Sequence, residues 1–264
     1  MMERPFNTIR HEAERNDRHL PYLTPHPTNK MASNTKESTR ALKKRLLLFL
    51  QSEEFVSNLD RLLELTPRQA VNPLFSFFHH RDPLIRWRAV TAMGIITAAL
   101  AENEMESARV IMRRLMWTLN DESGGIGWGS PEAMGEIMAH NHDLACEFGC
   151  ILVSYINEEA NYLEHEVLQR GVLWGLGRLG FVYPEHMRVA APAFQPFLQS
   201  ADPNHRGLAA WAITPLGDEN AIPLLEDLTR DESEIMLYTD MRLMRSTVAR
   251  LACEALERLA RIQM

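Results

Sequence analysis

Apolar residues recur every three or four positions through most of the chain after residue 66, which predicts a succession of amphipathic helices. No segment shows the sustained apolar and polar alternation of a half-buried strand, so we expect an all-α protein. The clearest apolar faces are Ile111, Met112, Leu115, Met116 and Leu119; Leu144, Phe148, Ile151, Leu152 and Tyr155; Leu168, Val172, Leu176 and Leu179; and Val248, Leu251, Ala252, Ala255 and Leu259.

Two segments share the arrangement that starts a helix. DPLIRWRAV at residues 82–90 has an aspartate that can cap the helix and a proline that suits its first turn. DPNHRGLA at residues 202–209 repeats it, 120 residues further on. Three repeats of about 40 residues account for that displacement. The chain therefore predicts a right-handed α-solenoid of stacked antiparallel helix pairs, with about five repeats.

The segment LGDENAIPLLEDL at residues 216–228 predicts a joint between two stacked helices. Gly217 can adopt the left-handed conformation that ends a helix, and Asp218 can accept from the free N–H groups of the next one. Pro223 fits the first turn of that next helix, where its missing N–H costs little.

This joint and the Asp-Pro segments resemble HEAT-like repeats of the phycobilisome-lyase (E-Z) type. The resemblance implies a repeat domain over residues 66–264, preceded by capping helices over 37–65. Residues 1–36 contain four prolines and no apolar periodicity, which predicts a disordered tail. Small residues on the second helix of each pair would let neighbouring backbones approach closely; these are Ala89, Gly171, Gly175, Ala209 and Ala212.

Composition favours a folded protein of the cytoplasm. The 264 residues are 45% hydrophobic, enough for a large core. The longest apolar run, residues 89–101, is too short and broken to span a bilayer, and the N-terminus has no signal-peptide core. Three cysteines are too few for a disulfide framework. We therefore expect a cytoplasmic location and no membrane partner.

Charge is distributed unevenly along the chain. The first 45 residues contain every lysine, and the rest is strongly acidic with arginine as its cation. The body therefore has no lysine for a Schiff base, and a general phosphate-binding surface is not expected there.

A glycine-rich loop interrupts the repeats at residues 120–132, NDESGGIGWGSPE. It ends in Ser130, a candidate helix cap, followed by Pro131 in the first turn. No strand precedes the loop and no Gly-Lys-Ser/Thr follows, so neither nucleotide-binding motif is supported. Two interpretations stay open: a long turn with Trp128 folded back, or a recognition loop with Trp128 as its anchor.

Two helical faces carry residues of the types that bind metals. Glu132, Glu136 and His140 follow one another at spacings of four, as do His142, Cys146 and Cys150. Zinc-type Cys-x2-Cys spacing is absent, and Glu136 with His140 is typical of a surface pair. His165-Glu166 resembles one metal-binding pair of deoxyhypusine hydroxylase, which needs four. The favoured interpretation has no metal, no cofactor and no catalytic residue, and a metal-binding enzyme that resembles deoxyhypusine hydroxylase stays open as an alternative.

The arginines leave two interpretations open. Arg86, Arg88, Arg113, Arg114, Arg170, Arg206, Arg242 and Arg245 could line a DNA-binding groove, as in HEAT-like DNA glycosylases, or could pair with carboxylates of the next repeat. The favoured interpretation is a non-enzymatic scaffold that binds another protein or peptide. Its expected contact residues, on the concave face and the loop, are Arg86, Arg88, Ile126, Trp128, Arg170, Arg206 and Trp211.

Overall fold

A computed structural model describes residues 38–120 and 127–262. Ile126 and the expected tail lie outside them. The helices are α1 (Thr39–Gln51), α2 (Pro67–Phe77), α3 (Pro83–Leu119), α4 (Ser130–His140), α5 (His142–Ser154), α6 (Glu166–Val182), α7 (Pro184–Met187), α8 (Ala191–Leu198), α9 (Pro203–Ile213), α10 (Ile222–Leu228) and α11 (Val248–Ile262). Two strands, β1 (Glu234–Thr239) and β2 (Arg242–Thr247), precede α11.

The helices pair into a solenoid. Helix α3 bends at Glu104 (φ −138°, ψ 63°), so its first limb, residues 83–103, ends one pair and its second limb begins the next. The first helices of the pairs are α2, the second limb of α3, α5, α8 and α10. The second helices are the first limb of α3, then α4, α6, α9 and α11, and they contact one another in that order. The expected solenoid of stacked helix pairs is confirmed.

Capping fixes where the second helices begin. Asp82 and Asp202 accept from the backbone N–H groups of Leu84 and Asn204, as the repeated motif predicts. Gly217 adopts a positive φ of 69°, and Asp218 caps the turn after it.

The cap of α4 differs from the sequence expectation. Its cap is Gly129, at φ 77°, and Ser130 is the first helical residue. The Ser130 hydroxyl is buried and lies 2.7 Å from the hydroxyl of Thr118. A Cβ at Gly129 would lie 2.7 Å from the Phe78 ring, so the site excludes a larger capping residue.

The N-terminal end of the stack is covered by α1 and a 3₁₀ turn over Val56–Leu62. Ser38 caps α1, which buries Leu42, Leu46 and Leu50. Arg88 of α3 donates to the carbonyl oxygens of Leu50 and Ser52 at 2.7 and 2.8 Å. These bonds satisfy free carbonyls at the end of α1 and fix this cap to the stack.

Backbone-to-backbone contact brings α4 and α6 together. A Cβ on Gly135 would lie 2.3 Å from the Cα of Gly175, and a Cβ on Gly175 would lie 2.7 Å from the carbonyl oxygen of Pro131. Only glycine fits at this crossing. The small residues on the second helices thus allow the close packing that the sequence predicts.

The β1–β2 hairpin was not expected from the sequence. Its strands pair antiparallel from Glu234 opposite Thr247 to Thr239 opposite Arg242, around a two-residue turn. Both turn residues, Asp240 and Met241, have positive φ, at 48° and 60°. This is the type I′ geometry, which normally selects Asn-Gly, so the strongest sequence signal for a hairpin is missing here.

Helix α3 is long and apolar enough, by length and composition alone, to cross a membrane. Its most apolar window is 72% buried within the fold, as in the core helix of a soluble protein, and such a single helix is weak evidence for a span.

We predict that Gly135→Ala destabilises the protein by about 3 kcal/mol or more, because the added methyl group overlaps the α6 backbone. Thermal unfolding should show a melting temperature lower by about 6–12 °C. Gly180→Ala is the matched control, since its Cβ would meet a side-chain tip at 3.1 Å. Equal melting temperatures for the two variants would contradict the close crossing.

Candidate functional site

Four aromatic side chains form a row across the second helices, which we call the aromatic row: Trp87 of α3, Trp174 and Phe181 of α6, and Trp211 of α9. The ring centroids of Trp87 and Trp174 lie 4.6 Å apart, and those of Trp174 and Trp211 lie 6.3 Å apart. Phe181 lies 5.2 Å from Trp211. The row joins repeats that are distant in sequence, and only Trp211 of its members was predicted as a contact residue.

Tyr238 of the hairpin sits on one end of the aromatic row. Its ring stacks on Trp87 at 4.9 Å with an interplanar angle of 10°, and its hydroxyl lies 3.0 Å from the hydroxyl of Thr91. The indole N–H of Trp174 donates to the Tyr238 carbonyl oxygen at 2.8 Å. Tyr238 is only 3% exposed, and this burial raises the pKa of its phenol well above the usual value.

The rest of β1 follows the same surface toward α9. Ile235 and Leu237 are buried, and a Cβ on Gly207 of α9 would lie 2.5 Å from Ile235. The hairpin therefore covers part of the second-helix surface. The hairpin leaves the other end of the aromatic row exposed to solvent. Phe181 is 41% exposed there, and Trp211 beside it is partly exposed.

Helix α6 also joins a charge network through Arg178, which lies between Trp174 and Phe181 in the sequence. Glu136 of α4 accepts from Arg178 Nε at 2.7 Å and lies 3.1 Å from His140 Nε2. Burial opposes ionisation, but Arg178 and His140 outweigh it and lower the pKa of Glu136 to about 2. The expected pair of Glu136 with His140 is present, but its placement at the surface is wrong, because Gly94 of α3 leaves the space in which Glu136 is buried.

Glu132 is the third residue of α4, and its carboxyl group accepts from the backbone N–H groups of Gly129 and Glu132 itself. This is the acidic half of a capping box. Its Oε2 is sealed from solvent without a hydrogen-bond partner, against Gly171 of α6. Burial raises the pKa of Glu132 to about 7, although the charge of Arg86 opposes the rise.

Three of the predicted contact arginines make intramolecular bonds. Arg170 of α6 donates to Asp202, the cap of α9, at 2.6 Å, and Arg206 of α9 donates to Asp231 at 2.7 Å. Each arginine thus reaches the next repeat, as the pairing interpretation proposed. Arg88 is buried at the N-terminal cap. Arg86 is the equivalent residue on α3, where the next cap is Gly129 in place of an aspartate.

Trp128 lies beside the start of α4 and away from the aromatic row's ring contacts. It is exposed, and its ring centroid lies 6.0 Å from that of His79 in the turn between α2 and α3. Its role as a loop anchor stays a prediction.

The candidate metal ligands are divided between two places. Glu132, Glu136 and His140 make the α4 contacts given above, whereas His142 and Cys146 of α5 lie 3.7 Å apart, near His186. Cys150 is exposed. No group of three such side chains that could hold a metal occurs within residues 38–120 and 127–262. His165 has a structural role, because its Nδ1 caps α6 by accepting from Val167 N–H.

Comparison with known proteins supports the fold. No family model matches the chain. An uncharacterized protein of Archaeoglobus fulgidus is 26% identical over 188 residues, which are 70% of this chain and 94% of that protein.

Among solved structures, the crystal structure of an engineered protein matches 86% of this chain and 93% of its own, at 14% identity and a TM-score of 0.51. A designed armadillo repeat protein is 18% identical and covers 81% of this chain and 98% of its own, at a TM-score of 0.44. The first of these likenesses shows a shared helical-repeat fold.

We predict that Glu132 makes the protein less stable as pH rises. Its folded pKa of about 7 exceeds the ordinary value of 4.5, so its full contribution is present below pH 4.5 and is lost as pH rises to 7. Relative to Glu132→Gln, the wild type should lose up to about 3 kcal/mol of unfolding free energy across this window. Urea unfolding at several pH values measures this.

Glu164→Gln, at an exposed carboxylate, controls for general charge effects. If the wild type and Glu132→Gln lose stability in parallel from about pH 5 to about pH 7.5, the assigned burial of Glu132 is contradicted.

Proposed function

We propose that this protein is a non-enzymatic HEAT-like scaffold of the E-Z type, which binds an extended segment of another protein on its second helices. The observation that carries the proposal is the aromatic row. One end of the row already holds an extended strand, through stacking on Trp87 and the bond from the Trp174 indole to a backbone carbonyl. The other end is open.

The open end supplies the features of a peptide anchor site. Phe181 and Trp211 are in ring contact and partly exposed, and exposed aromatic residues dominate the energetics of protein interfaces. Tyr183, at the end of α6, lies instead against His142 and His186 and is not part of this ring contact. A partner segment with an apolar side chain over Phe181 and Trp211 fits this arrangement.

The glycine-rich loop at residues 120–130 remains part of the proposal as a second contact, with exposed Trp128 as its anchor. Of the predicted contact arginines, we retain Arg86 as a contact for the partner. The carboxyl group beside it in the next repeat is that of Glu132, whose raised pKa makes it a weak ion-pair partner. We also propose a cytoplasmic location, in keeping with the small number of cysteines.

The arginine pairs speak against the DNA alternative. Arg170 and Arg206 neutralise Asp202 and Asp231, and Arg113 pairs with Glu106 at 2.5 Å. Charges that are already paired contribute little to a phosphate-binding groove. The buried Glu136 network likewise has a structural explanation and gives no support for an enzyme.

We predict that selection from a phage-displayed library of random peptides yields binders that depend on Phe181. Phe181→Ala should weaken a selected peptide by at least about tenfold, because the anchor ring is lost. Fluorescence polarisation with the selected peptide measures the affinity. The control is Val189→Ala, at an exposed apolar position after α7.

Two results would count against this function. The library could yield no peptide that binds the protein, or the selected peptides could bind Phe181→Ala and Trp211→Ala as tightly as the wild type.

A further inference from the structure

The hairpin is an insertion in the connection between α10 and α11. The N–H groups of Val248 and Ala249 donate to the carbonyl oxygens of Ser233 and Asp231, at 3.0 and 2.8 Å. The chain therefore leaves and returns at one point. A direct turn from Asp231 to Val248 would join the same two helices without the hairpin.

One strand of the hairpin makes the main contact with the second helices. Along β1, the side chains of Ile235, Leu237 and Tyr238 are buried, whereas Met236 points outward. None of the six residues of β2 is buried. The hairpin thus presents a single strand to the surface, with one aromatic side chain over the aromatic row, as a bound peptide would.

The hairpin's own turn does not favour its folded form. Asp240 and Met241 both occupy the left-handed region, which costs non-glycine residues free energy. Isolated two-stranded hairpins are marginal in water even with favourable turns. The contacts of Tyr238 with Trp87 and Trp174 are therefore a major source of the stability of the folded hairpin.

We propose that the hairpin is a built-in occupant of the second-helix surface, and that its departure opens a groove for an extended segment of a partner protein with an aromatic side chain. This inference rests on the proposed function and extends the binding surface from Phe181 to Trp87. The partner's aromatic ring takes the place of Tyr238 against Trp87, and its backbone carbonyl accepts from the Trp174 indole.

Covalent attachment gives the hairpin a large advantage over a partner. A tethered segment competes at an effective concentration on the order of millimolar, so a free peptide of equal intrinsic affinity is excluded at ordinary concentrations. Loss of the Tyr238 ring leaves the tether in place but weakens the contacts that the tethered segment makes, so a free peptide that retains the tyrosine competes better for the surface of Trp87.

The test uses a fluorescent synthetic peptide with the sequence of residues 231–249 as the probe, and the full chain as the receptor. Tyr238→Ala should bind the probe at least about tenfold more tightly than the wild type does. A probe in which the tyrosine is replaced by alanine should not bind. Met236→Ala, on the outward side of β1, is the matched control and should behave as the wild type.

A second variant covers the case in which Tyr238→Ala does not fold. In it, residues 232–247 are replaced by a short Gly-Ser turn, which the meeting of the two ends allows. Binding of the probe to this folded variant supports the inference. The inference is overturned if both variants fail to fold, because the hairpin is then integral to the fold, or if a folded variant binds the probe no better than the wild type.

The selected library peptides separate this inference from the proposed function. Peptides that bind through Phe181 with equal affinity before and after hairpin replacement would leave the function in place and remove the hairpin's role as an occupant. If no library peptide binds through Phe181 but the probe binds tightly, the hairpin's role as an occupant is kept and the Phe181 anchor site is removed.

Discussion

The crossing of α4 and α6 at Gly135 and Gly175 determines the geometry of the whole second-helix layer. At this crossing the two backbones touch, so the helices on either side of α4 also come close. Trp87 of α3 and Trp174 of α6 can then meet across α4, at 4.6 Å between ring centroids. The pair forms the platform for Tyr238. A side chain at either glycine would separate the helices and remove the platform.

Ion pairs between the second helices, and from them to the next repeat, support the same layer. Glu136 lies between Arg178 and His140. Arg170 pairs with Asp202, the cap of α9, and Arg206 pairs with Asp231, which precedes the hairpin. These pairs are partly desolvated, so the loss of one partner would leave a charge exposed to a low-dielectric surrounding. The ion pairs of Arg170 and Arg206 therefore join successive repeats. The surface left for a partner is mainly aromatic.

The repeats could be predicted from the sequence because their signals are local. Caps at Asp82 and Asp202, and the left-handed Gly217, depend on a few adjacent residues. The hairpin gave no such signal, since its strands are six residues long and its turn lacks glycine. Burial of Glu136 depends on the space at Gly94, 42 positions earlier. A further signal was present: Trp174 and Trp211 each lie nine positions after their helix caps.

The central claim is that β1 rests on the second helices through Tyr238 and Trp174. Exchange of the tryptophan indole protons with D₂O, followed by NMR, tests it within one sample. The Trp174 indole N–H, bonded to the Tyr238 carbonyl, should exchange far more slowly than that of Trp117, which is 78% exposed. Exchange of the Trp174 proton as fast as that of Trp117 would show that the hairpin is not seated there, and would contradict the account.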